Sequence, residues 1–227
     1  MKNGANSRKN QKFRYTFQAF QKDQFWLPAA IMALFMIVAI FIDDTNRFNT
    51  FRAFLGFTLP LISGGLSAYA FLEDTALELQ FTTSRSAWKM IFERLSVIAL
   101  VVALTALVFQ AYAPLIGVDL SPLGGLLARQ LIWAAPCLAM LAFGASVSLL
   151  ARSSPGGFAF VGGFWTLQLF MRGWFADSPV LRNILLFYSA MDPSTRAAAV
   201  NQLSLVWIFV LLLLATHNLL KKTERYI

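Results

Sequence analysis

Long apolar windows without charged residues alternate with short polar stretches along this chain. The windows lie at residues 26–42, 53–72, 95–113, 130–150, 155–171 and 203–215. Most of them reach the roughly 17–25 residues that a helix needs to cross a bilayer, and residues 216–220 extend the last one. The pattern therefore predicts an all-α membrane protein with six transmembrane helices in one domain over residues 25–220.

The polar interruption at residues 73–95 has a helical period of its own. A mostly apolar stripe consists of Leu77, Phe81, Ser84, Trp88, Phe92 and Leu95, and a polar stripe of Glu78, Thr82, Arg85, Lys89 and Glu93. Charge recurs too often for this segment to span a bilayer. It is predicted to be an amphipathic helix along the membrane surface, with its polar side available to a partner.

The stretch at residues 172–200, between the last two windows, is less regular. Residues 180–188 form an apolar run that Arg182 and Asn183 interrupt, and it is too short to cross a bilayer. A short re-entrant or interfacial helix on the outer side is therefore predicted. Asp192 and Pro193 predict the N-cap and the first residue of the last helix.

The distribution of basic residues predicts the orientation. An inside N-terminus places 13 of the 19 Lys and Arg residues in the cytoplasm, as the positive-inside rule favours. Residues 1–24 then form a basic cytoplasmic N-terminus with an interfacial helix, and residues 221–227 a cytoplasmic tail. The net charge of +8 is explained by this topology and by anionic headgroups, since no folded basic domain for nucleic acid is predicted.

Signatures of enzymatic chemistry are missing from the sequence. It contains no H-E-x-x-H, G-x-S-x-G or P-loop pattern, and Cys137 is the single cysteine. No predicted span has an ionisable residue near its centre, which disfavours a proton-coupled carrier. We therefore predict no catalytic, cofactor or metal site.

Four small residues at helical spacing predict close packing between helices instead of a ligand site. They are Ser63, Gly64, Ser67 and Ala68.

The predicted surface helix also carries a family resemblance. Leu77-Glu78-Leu79, Thr83 and Ser86 are similar to the cytoplasmic loop between spans two and three of ABC-2 type transporter permeases. Arg94 stands where that family usually has lysine. Two positions differ, because Gln80 replaces a leucine and Ser84 replaces a proline.

This resemblance implies a permease subunit that a separate ATPase drives. Two copies of the ATPase, with their ATP and Mg, would dock on coupling helices of two permease chains, paired as a homodimer or heterodimer in a bacterial plasma membrane. The implied coupling residues are Glu73, Glu78, Thr82, Thr83, Arg85, Ser86 and Lys89, and the implied outer gate contains Val180, Ile184, Leu185 and Tyr188. The expected cargo is an amphipathic, lipid-like, peptide or drug-like molecule that is exported.

Three alternatives remain at this stage. A scaffold or assembly protein would present the same surface helix to a partner that is not an ATPase. A haem-export-type permease would share the topology but carry haem-related cargo. A lipid-modifying membrane enzyme would have a site without a familiar motif.

Overall fold

The computed structural model describes residues 23–70 and 87–220, and every regular element within them is helical. This confirms the predicted all-α class for the described part of the chain. The α-helices are α1 Asp23–Phe41, α2 Asp44–Ala53, α3 Leu59–Tyr69, α4 Ala87–Tyr112, α5 Leu126–Ala151, α6 Ser154–Phe170, α7 Arg172–Asp177, α8 Tyr188–Met191 and α9 Arg196–Leu220. A π-helical turn at Phe54–Thr58, called the π-turn below, joins α2 and α3 into one continuous helix, and 3₁₀ turns occupy Ala113–Ile116, Ser121–Leu123 and Leu181–Asn183.

Four helices are long and apolar enough to cross a membrane. They are Asn46–Tyr69, Trp88–Ile116, Leu126–Ala151 and Arg196–Leu220. The other two predicted spans form shorter helices, because the apolar part of α1 is limited to Trp26–Phe41 and α6 has 17 residues. The structure thus supports four candidate spans directly.

The second and third predicted spans begin well before their charge-free windows. The second is a helix from Asp44, so its first turns include Arg47 and Arg52. The Arg47 guanidinium donates to the main-chain oxygen of Ala39 and pairs with Asp44, which satisfies its charge at the end of the bundle. The third begins at Ala87, so residues 87–95 of the predicted surface helix are the first turns of α4.

The last helix begins later than predicted. Asp192 and Pro193 lie in a turn, and α9 starts at Arg196. The cap is Thr195, whose hydroxyl oxygen accepts from the Ala198 amide. The prediction of an Asp192 N-cap was therefore wrong, because a hydroxyl closer to the helix satisfies the free N–H group.

Helices α3 and α5 form the centre of the bundle through small residues. A Cβ atom on Gly144 would lie 2.2 Å from both the carbonyl oxygen of Gly64 and the Ser67 hydroxyl. The Ser63 hydroxyl donates to the Cys137 carbonyl oxygen at 2.9 Å across the same interface. The predicted close packing at residues 63–68 is confirmed, since these side chains let the two backbones approach.

Helices α6 and α9 pack against other sides of α5. A Cβ atom on Gly157 would lie 2.6 Å from Ser148 Cα, so α6 starts directly against the end of α5. The hydroxyls of Ser146 and Thr216 are hydrogen-bonded at 2.8 Å between α5 and α9. Only 22% of the apolar window in α9 is buried, against 67% in α5. The outer face of α9 carries large exposed apolar side chains, as expected of a surface that meets lipid.

Candidate functional site

The main chain between α7 and α9, residues 178–195, is mostly not helical, and its middle part lies inside the protein. It contains the 3₁₀ turn Leu181–Asn183 and the single helical turn Tyr188–Met191. Between them Leu185, Leu186 and Phe187 are almost completely buried. Irregular backbone has unpaired polar groups that must find partners when buried. We call this stretch segment 178–195 and treat it as the candidate functional site.

Gln168 of α6 supplies two of these partners. Its Nε2 donates to the carbonyl oxygen of Ile184 at 3.1 Å, and its Oε1 accepts from the amide of Leu186 at 2.9 Å. The side chain has no exposed surface. One amide thus completes the backbone on both sides of Leu185, as a neighbouring strand or helical turn would otherwise do.

Asn201 of α9 supplies another donor. Its Nδ2 donates to the carbonyl oxygens of Arg182 and Leu185, at 2.7 and 2.9 Å. Asn201 lies five residues after the start of α9, which corresponds to about 7–8 Å along a helix. Segment 178–195 therefore lies beside the first turns of α9.

Phe187 anchors the segment in an aromatic cluster. Its ring stacks on Phe57 with centroids 4.5 Å apart and meets Trp165 edge-on at 5.8 Å. Trp165 and Gln168 are three residues apart and so lie on one face of α6. This face of α6 therefore contacts the segment in two ways, because Trp165 packs on the Phe187 side chain and Gln168 bonds to the main chain.

The π-turn contacts the same segment. A Cβ atom on Gly56 would lie 2.3 Å from Ala190 Cβ, so glycine is needed where the π-turn meets α8. Trp165 Nε1 donates to the main-chain oxygen of Phe57 at 2.8 Å. The site therefore joins the π-turn to a much later part of the chain, since Phe57 and Trp165 are 108 residues apart.

The four predicted gate residues do not share one surface. Leu185 is completely buried, whereas Val180 is 74% exposed. Ile184 is 37% exposed and Tyr188 is half-buried. The prediction of one short helix over residues 180–188 was wrong, because Gln168 and Asn201 satisfy the backbone in place of helical hydrogen bonds.

Most of the predicted coupling residues lie outside the part of the chain that the structure describes. These are Glu73, Glu78, Thr82, Thr83, Arg85 and Ser86. The seventh, Lys89, is exposed in the first turns of α4. Nearby, Arg94 is buried and donates to the carbonyl oxygen of Ala70 at the end of α3. Arg94 thus links the two helices that flank residues 71–86.

Gln168, Asn201 and Trp165 are absent from the sequence-predicted site. For Gln168 and Asn201 the sequence did contain a signal, namely an amide side chain in an apolar setting. Gln168 lies inside the window at residues 155–171, and Asn201 directly precedes the window at residues 203–215. Such polar groups usually form hydrogen bonds across helices. Within residues 23–70 and 87–220, no three His, Cys, Asp or Glu side chains come together as a metal site would require. No protein-family model, curated protein or solved structure matches the chain.

Proposed function

We propose that this chain is the membrane permease subunit of an ATP-driven transporter of the ABC-2 type. The observation that carries the proposal is segment 178–195, whose irregular middle part is buried and is held by Gln168 of α6 and Asn201 of α9. In membrane proteins such backbone is found where it lies within protein or lines a cavity, and broken helices are common in transporters.

In this proposal α1 and α6 are the two remaining spans. Helix α6 meets the end of α5 through Gly157 and reaches segment 178–195 through Gln168. Its 17 residues correspond to about 25 Å, close to the thickness of a hydrocarbon core. Helix α1 has 19 residues and ends where Arg47 contacts Ala39. Six spans would put both termini on the same side of the membrane, and the distribution of basic residues favours the cytoplasmic side.

In this proposal, ATP-driven closure of the ATPase subunits exerts a force on the permease through residues 71–86. The end of α3 and the start of α4 flank this stretch, and Arg94 connects them through Ala70. A force on a helix docked there would act on α3, which continues through the π-turn toward segment 178–195. The proposed cargo is an exported amphipathic molecule, and two ATPase subunits and a second permease chain complete the transporter.

The test is purification of the tagged chain from its native membrane, followed by mass spectrometry and measurement of MgATP hydrolysis. An ATP-hydrolysing subunit is expected to copurify. The double variant Glu78→Lys with Arg85→Glu should lose it, because charged groups at an interface determine partner choice. The control is Arg172→Glu with Asp177→Lys, which exchanges exposed charges in α7, at the other end of the bundle.

Retention of the ATPase by the Glu78 and Arg85 variant would show that these residues do not form the docking helix. A preparation with no ATP hydrolysis and no ATPase subunit would contradict the transporter proposal. It would instead favour a scaffold or a lipid-modifying enzyme.

A further inference from the structure

The π-turn interrupts a continuous helix at a position that proline makes irregular. Within it the Leu59 amide bonds to the Phe54 carbonyl oxygen, five residues back. Pro60 follows directly, and it has no N–H group and a ring that crowds the carbonyl four residues before it. A wider turn relieves that crowding, and such turns occur often at functional sites.

Trp165 connects this irregular turn to segment 178–195. Its indole N–H donates to the Phe57 oxygen in the π-turn, while its ring meets Phe187 of the segment. Phe57 itself stacks on Phe187. Movement of the π-turn would therefore disturb both the hydrogen bond between Trp165 and Phe57 and the stacking of Phe57 on Phe187.

We propose that Trp165 is a positioning residue that latches the π-turn to segment 178–195, and that release of its N–H from Phe57 allows the segment to open. The latch consists of contacts within this one chain, so it does not depend on the proposed ATPase partner. Its meaning for transport, as the link between α3 and an outer gate, rests on the proposed function.

Three features make this contact suited to switching. The π-turn lies in the helix that ends beside residues 71–86, so it is placed to receive motion from there. Its partner segment is held by side chains from separate helices, Gln168 and Asn201, and not by a continuous helical ladder. Finally, Gly56 lets Ala190 approach so closely that the two elements cannot move past each other without separating.

The experiment measures how often the segment opens. In a Cys137→Ala background, Leu185→Cys places one cysteine at a fully buried position. Unsealed fragments of the native membrane are treated with a hydrophilic maleimide, which then reaches both faces while partner subunits stay bound. Trp165→Phe keeps an aromatic ring but removes the donor. The modification rate is expected to rise about three- to tenfold, as loss of one hydrogen bond would give.

Trp133→Phe is the matched control. Trp133 Nε1 donates to Gln130 Oε1, also at 2.8 Å, so the same substitution removes an indole hydrogen bond of equal length within α5. The modification rate at position 185 should stay unchanged in this variant. An equal rise in both variants would mean general loosening and would overturn the latch, as would an unchanged rate in Trp165→Phe.

Phe187→Leu tests the aromatic half of the latch and serves if Trp165→Phe does not fold. It should also raise the modification rate, and combining it with Trp165→Phe should add less than the two single effects, because both variants break one contact. Unchanged labelling in folded Phe187→Leu would overturn the proposal. The measurement needs no nucleotide, so failure of the latch and absence of an ATPase partner are separate results.

Discussion

Gly144 and Gly64 are so close that a Cβ atom on Gly144 would lie 2.2 Å from the Gly64 carbonyl oxygen. The obstacle is main chain, so no side-chain rotation can relieve it. This pair sets the distance between α3 and α5, the two central helices of the described bundle.

Gly144→Ala is therefore expected to lower the free energy of unfolding by about 1–3 kcal/mol, the usual cost of overpacking. The thermal unfolding midpoint in detergent measures the effect. Gly163→Ala is the control, because nothing lies within 4 Å of its Cβ position and alanine favours helix by up to about 1 kcal/mol. Equal stability of the two variants would contradict the close packing of α3 on α5.

Asn201→Leu should loosen segment 178–195 locally. The carbonyl oxygens of Arg182 and Leu185 would each lose a short bond and keep only a main-chain bond of 3.3 Å. Leaving such groups poorly satisfied costs about 1–3 kcal/mol. Hydrogen exchange at residues 182–188 should become faster, whereas Asn218→Leu, at an exposed position of the same helix, should leave it unchanged. Unaltered exchange in Asn201→Leu would argue against its role as a clamp.

Leu185→Asp and Val180→Asp should differ strongly although both add one carboxylate to the same segment. Leu185 is fully buried and Val180 is 74% exposed. An uncompensated buried charge costs about 3–5 kcal/mol, whereas exposed substitutions typically stay within about 0.5 kcal/mol. Size-exclusion profiles of the solubilised variants should show loss of folded protein for Leu185→Asp alone. Similar yields would mean that the segment is not buried in the native protein.

The orientation is testable with single cysteines in the Cys137→Ala background. Cysteines at Thr45 and Ser178 should react with an impermeant maleimide added to intact cells, and cysteines at Ser84 and Ser153 should not. The charge distribution motivates this expectation. Ser153 and Ser178 flank α6 and α7, so their different labelling would also show that α6 crosses the membrane. Reaction of Ser84 from outside would reverse the topology and remove the basis for cytoplasmic coupling.

Parts of the site were readable from sequence and others were not. Residues 172–200 were recognised as irregular because an apolar run too short to span is visible directly. The start of α9 was misplaced, since Asp192-Pro193 and Thr195 both have capping chemistry and only the observed bond to the Ala198 amide distinguishes them. The π-turn and its contact with Trp165 were not foreseen, because a proline in an apolar window does not specify how the preceding turn adjusts.

The sequence by itself determined that the described chain is helical and that several of its helices are long and apolar enough for a membrane. Each window carries that information alone, since length and hydropathy are properties of one continuous stretch. Only the tertiary structure decided which helices are central and how segment 178–195 is held. Gln168, Asn201 and Phe57 lie far apart along the chain, and contacts between irregular backbone and distant side chains follow no period that a sequence pattern displays. The partners of a buried peptide group exist only once the helices have packed around it.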